Sequence, residues 1–440
     1  MSAGPVLCVD VGSTYTKAAL VDVADGRLLA TASSPTTAST DVMGGVDACR
    51  TATGADARVP VLACSSAGGG LRLAVVGYER VITAEAGYRV GLSAGARMAH
   101  VAAGPLDPTA LDDLRASVPD VVLLVGGTDG GNAEILLHNA TALADARLEV
   151  PFVAAGNVDA RDEVVARLEK AGETVYPTAN VLPEIGRLDP MPARSTIREV
   201  FIRHVIGGKH LSTRADFPAL VRAATPDAVL TGVELLADGA GGVPGAGDVL
   251  VVDVGGATTD VYSVVTPQGE DAVLRREVVE VMWRARTVEG DLGMRWNAPG
   301  IVEAALAERL VAPEESAALA VAARRRADEP AYVADDDAER DLDARLAELA
   351  VTVALRRHGR GGKDLREVAL VIGSGGVLRY ADPATRARVL RPALRDFGGG
   401  WPVPERARTV VDVSYVLAPA GLLAAEHPEA AARLLRSELA

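Results

Sequence analysis

Two short stretches of this sequence combine residue types that could handle phosphate. In "VLCVDVGSTYTK" (Val6 to Lys17) and "VLVVDVGGATTD" (Val249 to Asp260), an apolar run ends in Asp-Val and passes into a glycine turn with hydroxyl residues. Glycine lets a backbone turn tightly and offer its N–H groups to anionic oxygens, and Ser13, Thr14, Thr258 and Thr259 add hydroxyl donors. Asp10 and Asp253 stand at the same offset before each turn. A carboxylate there can hold Mg2+ through water, because that ion takes oxygen ligands and keeps part of its hydration shell. The plainer alternative for each aspartate is to cap its own turn; the duplication argues against it. Two such turns suit a clamp on the β and γ phosphates of one nucleotide. A third glycine motif, "VIGSGGVLRY" (Val371 to Tyr380), also ends an apolar run, and its glycines would permit close approach of a base or ribose.

Other nucleotide signatures are missing. No Gly-x-x-x-x-Gly-Lys-Ser/Thr occurs, and "VGGTDGGN" (Val125 to Asn132) lacks GxGxxG spacing, so local turn chemistry is its reading. The six histidines form no HxxxH or HExxH pattern, and the three cysteines, Cys8, Cys49 and Cys64, fit neither a metal site nor a disulfide framework. Cys8 and Cys64 fall in or at the end of apolar runs and read as core.

Composition narrows the partners. The 440 residues carry a net charge of -14, with 49% hydrophobic and only 3% aromatic residues. Such a chain has no cationic surplus for a nucleic-acid backbone and few platforms for stacked bases. No stretch reaches the roughly 18 to 20 apolar residues of a membrane span, and no leader pattern opens the sequence. A cytoplasmic protein of two or three domains is expected.

These residues need elements to position them. Residues 6 to 34 read as three strands joined by tight turns, with Asp25-Gly26 as a hairpin signal. Residues 249 to 281 repeat that plan through "VLVVDVGG", "TTDVYSVVTPQG" and "AVLRREVVEV". Between them, residues 60 to 205 alternate Val-rich strands with helices, the βαβ pattern of a parallel sheet. The proline-rich "TVYPTANVLPEIGRLDPMPARST" reads as a loop leading to a helix, "IREVFIRHVIGG". Residues from about 300 to 358 read as helical, and the charges of "DDDAERDLDARLAELAVTVALRRHG" as a solvated face oriented with the helix dipole.

Taken together, the motifs resemble those of the actin, Hsp70 and sugar-kinase ATPase superfamily: "DVGSTYTK" its first phosphate motif, "DVGGATTD" its second, and "VIGSGGVLRY" its adenosine motif. "AVLTGVELLADG" and "SYVLAPAGLLAA" fall where the two connecting helices of that superfamily belong. More narrowly, "ACSSAGGGLRLAVVG", "LLVGGTDGGN", "DVGGATTDVYSV" and "RTVEGDLGMRWNA" look like the glutamate mutase accessory proteins of the MutL type, over essentially the whole chain.

The resemblance implies an α/β fold of two ribonuclease-H-like lobes. Lobe I would take 1–59 and 225–246, with 413–440 packing back; 60–224 would be an inserted α/β module, and 247–412 lobe II. It implies ATP with Mg2+, the metal organised by Asp10 and Asp253. Gly12, Ser13, Thr14 and Lys17 would contact phosphates from one lobe, Gly255, Gly256, Thr258 and Thr259 from the other, with Gly373, Gly375 and Gly376 flanking the adenosine. Lys17 could equally be solvated. For the group that positions the attacking water, Glu234 in the first connecting segment and Asp291 in "RTVEGDLGMR" are the candidates, with Glu289 a further alternative; a surface glutamate and a helix cap are their plainer roles.

The implied job is a weak ATPase that reactivates an adenosylcobalamin-dependent carbon-skeleton mutase, with mutase subunits as partners and a homo-oligomer left open. A small-molecule kinase of the same fold, or a nucleotide-dependent scaffold or filament, are the competing readings. The inserted module, through "VGGTDGGN" and "AAGNVDAR", is the expected partner surface.

Overall fold

The computed structural model describes residues 4–37, 40–67, 70–79, 82–208, 211–214, 216–266, 284–360 and 363–440. They form two compact units, one holding the described residues up to Gly232 with Ala418–Ala431, the other those from Val233 to Leu417 with Ala432–Ala440.

In the first unit, β1 (Pro5–Val11), β2 (Tyr15–Asp22) and β3 (Arg27–Pro35) make an antiparallel meander. Its second turn closes from Gly26 N–H to Asp22 O at 2.8 Å, with Gly26 at φ 79°, where a residue with a Cβ is strained. β1 is apolar without alternation, as a strand covered on both faces must be, whereas burial along β3 alternates residue by residue. β4 (Val61–Ser65) runs parallel to β1 on its free side.

A second sheet follows: β5 (Arg72–Gly77), β6 (Arg97–Ala103), β7 (Val121–Leu124), β8 (Phe152–Ala154) and β9 (Val175–Pro177), all parallel in the order β6-β5-β7-β8-β9. β10 (Val221–Ala224) then returns to pair with β4. The range 60–224 expected as an insertion therefore begins and ends in the first sheet, because β4 and β10 find their hydrogen-bonding edges there; the added sheet is β5 to β9. It does not have a core of its own on both faces. Leu73 and Val75 of β5 join Val9 and Val11 of β1 and Ile197 and Phe201 of the following helix in one cluster. Ala74 and Val76, pointing the other way, pack with Leu136, Leu143 and Leu168. That following helix starts earlier than expected, at Pro190, inside the segment read as loop. A proline in the first helical turn removes no intrahelical bond, so it starts a helix rather than breaking one. Its C-terminal end, Phe201–Ile206, is a π-helical turn.

The second unit opens with a short ribbon, β11 (Gly239–Ala240) and β12 (Val243–Pro244). β13 (Val249–Val254), β14 (Thr259–Val264) and β15 (Arg284–Glu289) form its meander, and β16 (Leu370–Ser374) and β17 (Arg408–Val411) extend it in parallel from β13. The strand "AVLRREVVEV" expected at 272–281 lies outside the described residues; the third strand of this meander is β15. Meander plus two parallel strands beside the first strand is the ribonuclease-H-like order, and each unit carries it. The chain is α/β, with one such sheet in each unit.

The expected solvated face of the Asp337–Arg360 helix holds only in part. Arg356 hydrogen-bonds Glu308 and Asp396, and His358 is fully buried, because the helix lies against the sheet rather than on the surface. Among the described residues no helix is long and apolar enough to cross a membrane.

Within the first unit, parts of two helices meet backbone to backbone. A Cβ on Gly421, in the Leu417–Leu423 helix, would lie 1.8 Å from Ala228 O, in the Thr225–Asp238 helix. Gly421→Ala is expected to cost about 1–3 kcal/mol through overpacking, read as a lower urea midpoint. Gly207→Ala, where nothing lies within 4 Å, should leave the midpoint unchanged.

Candidate functional site

The two glycine turns share one geometry. Gly12 N–H donates to Tyr15 O at 3.2 Å and Gly255 N–H to Thr258 O at 2.9 Å. A Cβ on Gly12 would come within 2.5 Å of Tyr15 O, and one on Gly255 within 2.8 Å of Thr258 O, so each position tolerates only glycine. The turn carbonyls point inward. Thr36 donates its hydroxyl to Gly12 O at 2.9 Å and its N–H to Thr14 O at 2.9 Å. In the second unit, Met294 N–H reaches Gly255 O at 2.9 Å and Arg295 N–H reaches Gly256 O at 2.8 Å. Asn297 Nδ2 reaches Ala257 O at 2.8 Å. The N–H groups of Ser13 and Thr14, and of Gly256, Ala257 and Thr258, take no acceptor among the described residues. A run of outward N–H groups is the arrangement that attracts anionic oxygens.

Thr259 departs from its expected role. It is buried, and its hydroxyl donates to Leu292 O at 2.6 Å, so it anchors the collar of residues 290–297 instead of facing the open side of the turn. Gly293 completes that collar, lying so close that a Cβ would meet Ala257 at 2.3 Å.

Asp10 is 3% exposed. Its Oδ1 accepts from the Thr225 hydroxyl at 2.5 Å and from the Cys64 thiol at 3.6 Å, and its Oδ2 lies 3.9 Å from Lys17 Nζ. Lys17 is thus paired with Asp10 across the two strands rather than merely solvated. Burial, and then the Asp10 charge, push the Cys64 thiol well up, so it is a hydrogen-bond donor and no nucleophile. Thr225 went unread in the sequence; its only signal was a Thr-Pro pair at the start of a helix.

Asp253 has different company. Across the strands it faces Asp260, where the first unit has Lys17. Burial pushes the Asp260 carboxyl up, Arg286 pulls it down, and Asp253 adds to the rise. Arg286 Nη2 donates to Asp260 Oδ2 at 3.3 Å, and Asp260 Oδ1 is buried without a hydrogen-bond partner. Asp412, at the end of β17, accepts from Val416 and Leu417 N–H at 2.8 and 3.2 Å. Burial is the main cause raising its carboxyl, with Asp253 a small contribution the same way. Asp412 sits in "VVDV", the same Val-Asp-Val ending as Asp10 and Asp253, which is the signal in the sequence that marks it. Asp253 therefore shares its surroundings with two buried carboxyls, and its charge adds to the rise of both.

The third glycine motif divides in function. A Cβ on Gly373 would strike Leu378 at 2.8 Å, so that glycine serves packing and not a ligand. Gly375, at φ 100°, lies with its Cβ direction 2.1 Å from Val254 O, while Gly376 faces open space. Nearby, Arg379 has its guanidinium carbon 4.5 Å from the Tyr415 ring centroid. Its Nε and Nη2 are buried with no hydrogen-bond partner.

The candidates for positioning water have different surroundings. Glu234 lies half-buried in the Thr225–Asp238 helix. Asp291 is gripped by Arg357, whose Nη1 and Nη2 donate to its two oxygens at 2.6 and 2.8 Å; Nη1 also reaches Glu289 at 2.9 Å. The Arg357 hydrogen bonds hold the Asp291 carboxyl below its usual value, which suits it to fastening the loop and not to taking a proton. At the carboxyl edge of the added sheet, the two expected partner loops do meet: Gly130 N–H donates to Asp159 Oδ2 at 2.8 Å and Val158 N–H to Asp129 Oδ1 at 3.1 Å.

Taken unit by unit, the groups fit phosphate and Mg2+. Each unit offers a carboxylate and a run of outward N–H groups, and the second adds the Arg379 nitrogens that have no hydrogen-bond partner. Among the described residues no group of three or more His, Cys, Asp or Glu could hold a metal alone, so phosphate and water oxygens would complete the shell, as Mg2+ prefers.

A model of the family described as MutL protein matches residues 6–439. The chain is 35% identical over 457 residues to Protein MutL of Clostridium tetanomorphum, covering 98% of each chain. Among solved structures it overlaps the activator of the 2-hydroxyisocaproyl-CoA dehydratase from Clostridium difficile with bound ADPNP. That overlap has a TM-score of 0.35 and 9% identity, covering 97% of this chain and 95% of that one. Xylulose kinase from Bifidobacterium adolescentis gives 0.34 and 12% identity, covering 99% and 94%. Overlaps this loose carry no argument.

His358 supplies a pH test of the second unit. It bridges Thr287 and Ser263 through its ring nitrogens at 2.9 and 2.8 Å, and burial, with a smaller contribution from Lys363, holds its pKa well below the ordinary value. The folded ring stays neutral while the unfolded chain takes a proton below about pH 6.5, so stability falls as pH drops from there toward the lower folded pKa. His358→Gln should remove up to about 1.4 kcal/mol per pH unit of that slope, measured as urea midpoints between pH 7 and pH 5.

Proposed function

The chain belongs to the MutL protein family, and from that premise we propose that it binds ATP with Mg2+ and serves as the reactivating accessory protein of an adenosylcobalamin-dependent carbon-skeleton mutase of the glutamate mutase type. The observation that carries ATP binding is the pair of turns whose carbonyls are tied back and whose N–H groups face outward, each beginning two residues after Asp10 or Asp253. The mutase role follows from the family resemblance.

In this reading the N–H groups of Ser13 and Thr14, and of Gly256, Ala257 and Thr258, bind phosphate oxygens, and Lys17 adds charge beside Asp10. Bound Mg2+ supplies neutralisation of phosphate charge. Asp10 and Asp253 orient its water shell, and the Asp253 patch, crowded by Asp260 and Asp412, is where a cation relieves the most repulsion. Gly376 and the unpartnered Arg379 nitrogens receive the nucleoside. Glu234 is the candidate that remains for positioning water, since Asp291 is held by Arg357. The joined loops Val125–Asn132 and Ala154–Arg161 form the surface offered to mutase subunits. They lie outside the carboxyl ends of parallel strands, where α/β sheets present their binding loops.

The test uses the mutase holoenzyme inactivated by turnover. With ATP, Mg2+ and fresh cofactor, the protein should restore activity, and Asp253→Ala should lose Mg2+-dependent ATP binding about tenfold or more and restore little. Equal reactivation by Asp253→Ala would sink the mechanism, and failure of the protein to retain any mutase subunit with or without ATP would sink the partner.

A further inference from the structure

We propose that Thr225 is a positioning residue for the Mg2+ site, fixing the direction of the Asp10 carboxylate; this rests on the Mg2+–nucleotide reading above. Asp10 is on β1 and Thr225 follows the last residue of β10, with β4 between them. Two strand spacings of about 4.8 Å separate β1 from β10, so the two side chains can meet only above β4. The β4 residue in register with Asp10 is Cys64, small enough to leave that space and itself turned toward Oδ1 at 3.6 Å.

The resulting bond is directional. The Thr225 hydroxyl donates to Oδ1 at 2.5 Å, leaving Oδ2 on the side of Lys17 at 3.9 Å. A charged acceptor makes this a strong hydrogen bond, and it holds one rotamer of a carboxylate that burial has removed from water.

Thr225 is in turn held still. Two residues on, Asp227 is fully buried and takes Arg194 Nε at 2.9 Å, Arg198 Nε at 2.5 Å and Arg198 Nη2 at 2.9 Å. Arg194 Nη2 also reaches Thr231 Oγ1 at 3.1 Å. Both arginines lie on the Pro190–Val200 helix, which leads in from the added sheet. The first turn of the Thr225–Asp238 helix is therefore bolted in place, and the hydroxyl it presents is a rigid post. Asp10 is thereby joined, through one helical turn, to the helix that carries the added sheet's packing.

The experiment compares Thr225→Val, which keeps shape and loses the donor, with Thr225→Ser, which keeps the donor. A fluorescent ATP analogue is titrated with Mg2+ and with EDTA, and Mn2+ binding is followed by electron paramagnetic resonance. Thr225→Val should weaken Mg2+-supported binding about 10- to 100-fold while EDTA binding stays within about twofold, and Thr225→Ser should return to near the parent. Thr225→Cys, a weaker donor of similar size, should fall between them and serves if the valine variant does not fold. Equal losses in Mg2+ and EDTA, no loss at all, or no rescue by serine would overturn the role of Thr225. A parent protein with no Mg2+-dependent nucleotide binding would overturn the underlying reading as well.

Discussion

The structure depends on a steric constraint at two strand ends. Gly12 and Gly255 each sit where the chain must turn back into the sheet within three or four residues, with the carbonyl three residues on too close for any Cβ. Once that closure is imposed, the turn carbonyls have to find partners behind them, and Thr36 in one unit and the 290–297 collar in the other supply those. The N–H groups that remain face outward. The run of outward N–H groups at both turns is thus a consequence of closing them, and it does not require a helix end or a lysine-bearing loop.

The same closure is set in two different electrostatic frames. At one register position the first unit places Lys17 and the second places Asp260. Asp10 is neutralised in part by a cation and directed by a hydroxyl, so it is ordered before any ligand arrives. Asp253 faces carboxylates that burial has already pushed toward protonation. In the function proposed above, a divalent ion would relieve like charge beside Asp253 and meet an already aligned oxygen beside Asp10. The two repeats have kept a backbone plan and divided its chemistry.

The added sheet explains how a partner surface could be attached to such a lobe without a flexible linker. One face of β5 and β7 packs into the same cluster as β1, and the Arg194–Asp227–Arg198 grip ties its trailing helix to the Thr225–Asp238 helix. The loops that would meet a partner are therefore carried on an element that shares its core with the Asp10 strand. Rigidity of that kind is what a coupling between sites needs, since packed cores shift as units.

The strand–glycine turns, their duplication and the alternating strand–helix stretch were legible in the sequence because Val-rich runs, Gly and Asp act locally, over a few residues. The Val-Asp-Val ending at Asp412 is equally visible, but no glycine follows it to mark a turn. What the sequence could not show was which strand pairs with which: β4 and β10 read like members of the insertion, and only the parallel edge of β1 and β4 assigned them to the first sheet. Thr259 and Gly373 looked like ligand residues and Asp291 like a water-positioning one by type and spacing, yet contacts with Leu292, Leu378 and Arg357 claimed them. Thr225 is the converse case, an ordinary helix-start threonine brought to Asp10 from 215 residues away. The sequence by itself determined where the backbone must turn and which groups it could offer there. Only the tertiary structure decided which of those groups stayed open, because a side chain's partners are set by sheet pairing and packing between segments remote in the chain.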